Sequence, residues 1–147
     1  MNIKAYLLIA LVGFIAAVTG SDLFARMTIA GEGFGFAVAE HLRWASLTIV
    51  GLVLLFVPFG GVALICGGAN KRAKTRSFAV VFFIAMAILG YFYFEGFQAA
   101  QHALLQNKWT AATLSVGLLP FFIGLPLLAV VAIAAAIVTQ VDRQSPA

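Results

Sequence analysis

The sequence is poor in charge, in cysteine and in histidine, and each scarcity removes a class of protein. Only 10% of its 147 residues are Asp, Glu, Lys or Arg, whereas a soluble domain carries about 25%. Since 63% are hydrophobic, a chain of this length cannot hide its apolar surface from water, and the surrounding medium must be largely lipid. The single cysteine, Cys66, can form neither an intramolecular disulfide nor a thiolate metal cluster; it reads as a small apolar filler at a helix end. The long apolar stretches carry no acid, base or histidine in their cores, although ion-coupled transporters keep such a group at membrane depth. No Ser–His–acid or Cys–His arrangement is readable, which argues against an enzyme. The glycine-rich stretch Gly31-Glu32-Gly33-Phe34-Gly35-Phe36 lacks the strand-to-helix context of a nucleotide loop. It reads as a hairpin with Phe34 and Phe36 dipping into the interface.

What remains is a pattern of membrane spans. A spanning helix needs roughly 20 mostly apolar residues. Four stretches qualify, at about 5–20, 44–66, 77–94 and 114–138, the first lengthened by Lys4 reaching back to the interface. The expected fold is all-α, a single four-helix membrane bundle over 1–147. Its loops are 21–43, 67–76 and 95–113. The middle loop holds Lys71, Arg72, Lys74 and Arg76 with no acidic neighbour. Basic loops stay in the cytoplasm, so both termini are expected inside, with Lys4 and Arg143 in agreement. Trp44 and Trp109 then sit at the outer starts of two spans, where indoles belong. This concentration of the net charge of +4 fits an orientation signal rather than a nucleic-acid surface. Residues 4–21 also fit a secretory signal peptide, with Thr19-Gly20-Ser21 near a cleavage site; its removal would leave three spans oriented as before.

Within the spans the irregular residues are Pro58, Pro120 and Pro126. An interior proline removes a backbone hydrogen bond and crowds the preceding turn, so the fourth span is expected to kink or break. Either the freed carbonyls line a site or the kink is a packing feature satisfied by neighbouring helices. Small residues recur at helix-packing spacing: Gly13 with Ala17, Ala16 with Gly20, and Ala132 with Ala136. They suit a compact bundle or a face offered to another protein's helix. Outside the spans, Asp22 and Arg26 are spaced to pair along an extension of the first helix. From Glu95 onward, Phe97, Ala100 and Leu104 share one helix face, and Glu95, Gln98, His102 and Gln106 another. If Glu40, His41, Glu95 and His102 converge, they would suit a divalent ion, and the two histidines alone a haem; otherwise they are solvated interface residues. No cofactor is assigned.

These features lead to a non-catalytic accessory, assembly or interaction subunit of a larger membrane complex, immunity and exclusion roles included. Its small, loop-poor build points to a bacterial inner membrane. The lipid bilayer and a membrane-protein partner or second copy are its expected contacts, with no nucleic acid. The alternatives are a small oligomeric transporter or channel using the broken fourth helix, and a haem- or metal-binding redox protein using the outer histidines.

Overall fold

The computed structural model describes residues 1–73 and 77–144, so Lys74 and Arg76 of the basic run lie outside the described residues. Among the described residues six α-helices form: α1 (Ile3–Thr28), α2 (Phe34–Leu47), α3 (Ile49–Ala73), α4 (Ser77–Leu105), α5 (Trp109–Gly117) and α6 (Leu125–Gln144). A π turn at Pro120–Gly124 joins α5 to α6. The described residues include no strand. Helices α1, α3, α4 and the run Trp109–Val141 are long and apolar enough to cross a membrane. The expected all-α class therefore holds, with four helical runs that could span a membrane.

The helix ends follow from local chemistry. Asn2 caps α1, its Oδ1 accepting from the Ala5 N–H at 2.8 Å. Helix α1 runs two turns past Gly20 because Ser21, Asp22 and Ala25 are buried on its inner face and Arg26 pairs back to Asp22. Gly31, at φ 69°, turns the chain where a side chain would strain it. Gly33 then caps α2 through its carbonyl, which accepts from Ala37 N–H at 2.9 Å. The expected glycine hairpin is thus a short link into a helix. Phe34 and Phe36 do project outward, at its first turn. Thr48 alone separates α2 from α3, its hydroxyl donating to the Trp44 carbonyl at 2.7 Å. Helix α4 continues unbroken through Glu95 to Leu105, with Phe97 and Ala100 buried and Glu95 and His102 exposed. The two faces expected there are present.

Helices α3 and α4 form the central pair; α1 packs in one groove between them and the fourth span in the other. At one end of the bundle Asn70 Nδ2 donates to the Met1 carbonyl at 2.7 Å, which places the amino terminus beside Lys71 and Arg72. This is called the basic end below, and the α2 end the distal end. The core stacks aromatic rings edge to face: Tyr6 on Phe82 at 4.9 Å, Phe59 on Tyr93 at 5.1 Å and Phe14 on Phe59 at 5.5 Å.

The prolines take part in this packing. Pro58 is fully buried and seats against Gly124 of the π turn, where a Cβ would meet the proline ring at 2.9 Å or closer. Only a glycine admits that approach. Leu125 N–H reaches the Pro120 carbonyl five residues back, so the turn widens rather than opening a gap. Gly96 of α4 gives way in the same manner to Leu119, whose Cδ1 would lie 2.8 Å from a Cβ there.

Two buried tyrosines make a contrast that can be measured. The Tyr93 hydroxyl donates to the Leu55 carbonyl at 2.6 Å, tying α4 to α3. The Tyr6 hydroxyl is buried with no hydrogen-bond partner among the described residues. Tyr93→Phe is expected to cost about 1 kcal/mol, and Tyr6→Phe to be neutral or stabilising. Reversible unfolding of the two variants in mixed micelles checks the sign of the difference.

Candidate functional site

The polar residues of the distal end are gathered by α1 and α2. Asp22 faces inward from α1 and is 6% exposed; His41, on α2, is also 6% exposed. A carboxylate at that depth must be surrounded by donors. Asp22 Oδ2 accepts from Arg26 Nε and from His41 Nδ1, each at 2.9 Å. On the far side of the His41 ring, Nε2 lies 3.2 Å from the Thr19 hydroxyl, within hydrogen-bond distance. Arg26 also reaches Glu32, its Nη1 standing 3.8 Å from Oε2. Trp44 closes the group, 5.9 Å from the His41 ring and 5.7 Å from Phe97, onto which it packs edge to face.

Thr19, His41 and Asp22 repeat the order of a hydroxyl–imidazole–carboxylate triad. Access argues against nucleophilic work. Thr19 lies inside α1, where backbone N–H groups are taken up by the helix and form no oxyanion site. Beside this network opens a cavity of about 710 Å³ between the distal end of α1 and helices α2, α3, α4 and α5. Asp22 lines it, but Thr19 and His41 do not. The network is therefore a cross-link that holds α2 to α1 and turns one carboxylate edge toward the cavity.

The cavity has a charged rim and an apolar interior. Arg26, Glu32, Glu40 and Arg43 join Asp22 at the rim, and Trp44 and Trp109 also line it. Leu55, Phe97 and Val116 form the interior, which reaches Pro120 at the π turn. Gln101, 7% exposed, lines the wall and makes no hydrogen bond among the described residues. Comparison with protein-family models, curated proteins and solved structures finds no match.

The four residues considered for a metal are spread over different surroundings. His41 is engaged by Asp22 and Thr19. Glu40 stands 3.7 Å from Arg43. Glu95 lines a separate shallow groove with Ser115 and Leu119, and His102 is exposed. No group of three or more His, Cys, Asp or Glu side chains is gathered for a metal ion among the described residues. Of the residues that do meet, sequence reasoning reached the Asp22–Arg26 pair and missed its link to His41. The available signal was an acid continuing the buried stripe of α1, with Val18 one turn before it and Ala25 one turn after.

Because Asp22 and His41 share one buried contact, their substitutions should not add. Asp22→Asn and His41→Leu, separately and together, are expected to show a coupling of about 1–3 kcal/mol. A double-mutant cycle on thermal or denaturant unfolding measures it, and additivity would mean that the contact carries no stability.

Proposed function

We propose that this chain is a non-catalytic accessory, assembly or interaction subunit of a larger membrane complex, docking through the outward face of α1. The observation that carries this reading is the setting of two glycines. Gly13 and Gly20 lie on one face of α1 with Ala16 and Ala17, and a Cβ added at either glycine meets nothing within 4 Å. Interior glycine costs a helix about 1 kcal/mol relative to alanine, and no close approach among the described residues calls for it. In lipid, small residues at this spacing let a second helix come near. Ala132 and Ala136 are likewise exposed on α6.

The proposed orientation has both termini in the cytoplasm of a bacterial cell, the protein lying in the inner membrane. The meeting of Met1 with Asn70, next to Lys71 and Arg72, supports it, because the amino terminus then shares the side of the basic loop. In a Cys66→Ala background, a membrane-impermeant maleimide is expected to label Gln106→Cys from outside intact cells. Lys71→Cys should label only after permeabilisation; the reverse pattern would invert the topology.

A small transporter is the second reading, favoured by the cavity reaching Val116, Gly117 and Pro120 at the break in the fourth span. The seating of Pro58 against Gly124 weighs against that break acting as a gate. The deciding experiment is a pull-down from native membranes in mild detergent, read by quantitative mass spectrometry. A stoichiometric partner is expected with the native chain. Gly13→Val/Gly20→Val is expected to lower its recovery roughly tenfold with the unfolding temperature unchanged. Recovery of the chain alone as a defined homo-oligomer would overturn the accessory reading in favour of transport.

A further inference from the structure

The geometry points to the distal cavity as a binding site for one membrane lipid with an amine-bearing, zwitterionic head and an ester-linked acyl chain. This does not depend on the accessory reading, since it rests on polar groups that α1 docking leaves untouched.

Two polar side chains of the cavity wall, Glu32 and Gln101, have bonding capacity to offer an occupant. Glu32 Oε2 is buried and has no hydrogen-bond partner among the described residues; the Arg26 guanidinium stands off at 3.8 Å. Gln101, 7% exposed and lining the cavity, has a whole amide without a partner there. Both side chains line the cavity, so a polar group entering it can bond to them. The carboxylate of Glu32 can accept from a donor. Gln101 can give an N–H to a carbonyl.

The charges at the rim narrow the head. Asp22, Glu32 and Glu40 face Arg26 and Arg43, three acids against two bases, and Arg26 is already committed to Asp22. A purely anionic head would meet a carboxylate majority. A quinone ring offers acceptors only and leaves Glu32 without its donor. An ammonium placed at Glu32, with its phosphate toward the exposed Arg43 guanidinium, satisfies both signs.

The interior fits the tail. Leu55, Phe97 and Val116 line an apolar path from the rim toward Pro120. Along the fourth span from Trp109 to Pro120 this path runs roughly 16 Å, at the rise of a helix. The volume lies in the range of about 300–1,000 Å³ typical of sites that enclose a small molecule. Trp44 and Trp109 also line the cavity, and indoles favour the boundary between head and tail. Gln101 would then meet the ester carbonyl.

The test uses the full chain in lipid nanodiscs with photoactivatable phosphatidylethanolamine, followed by mapping of the adducts. Unlabelled phosphatidylethanolamine, phosphatidylglycerol and ubiquinone serve as competitors. Adducts are expected on α4 and α5 residues of the cavity, displaced by phosphatidylethanolamine roughly tenfold better than by phosphatidylglycerol. Glu32→Gln is expected to erase that preference, Gln101→Leu to lower labelling several-fold, and Val116→Phe to block it by filling the path. Preferential displacement by phosphatidylglycerol or ubiquinone would overturn the assignment, as would labelling spread evenly over the lipid-facing surface. The competition on the native chain decides the matter even if a variant fails to fold.

Discussion

A carboxylate buried at the end of an apolar helix has to be supplied with donors, and the distal half of this molecule is arranged around that need. Asp22 receives one donor from its own helix, Arg26, and one from the next, His41. The first contact favours continuation of α1 beyond Gly20. The second fixes which side of α2 faces the bundle, and with it the positions of Glu40, Arg43 and Trp44 around the cavity. Removing Asp22 would leave a guanidinium and an imidazole without their acceptor, and breaking such a buried group by one partner is costly.

The middle of the bundle obeys a different constraint, one of shape. Gly61, Gly96 and Gly124 stand where a side chain of another segment presses close, as Gly67 does nearer the basic end. Gly124 meets Pro58, so an irregularity of α3 is received by an irregularity of the fourth span. The π turn provides the extra width without an empty space between them. Helices packed to this density respond poorly to added volume, and two imperfect helices become one tight joint.

The spans were legible in the sequence because lipid imposes a simple rule of length and apolarity. The uncharged stretch from Trp109 to Val141 is long and apolar enough to cross a membrane, with a π turn at Pro120–Gly124 in its course, and the two faces of α4 after Glu95 were readable from spacing alone. The Asp22–Arg26 pair was readable too, because its partners are four residues apart. The Asp22–His41 contact joins residues 19 apart across a glycine turn, and no local period encodes it. The shared-site idea for Glu40, His41, Glu95 and His102 assumed that equal depth brings side chains together. Their helices turn them in different directions instead. The cavity was invisible for the same reason, since it is the space between five helices and belongs to none of them.

Helix α2 is attached more lightly than its length suggests. Ala37 and His41 are its buried residues, and at its carboxyl end one residue, Thr48, joins it to α3. It is therefore fastened near its middle and jointed at one end, in the manner of a latched flap. Local opening favours elements with few buried contacts. Releasing the imidazole from Asp22 would let α2 lift about Thr48, widening the cavity mouth without disturbing the spans beneath it.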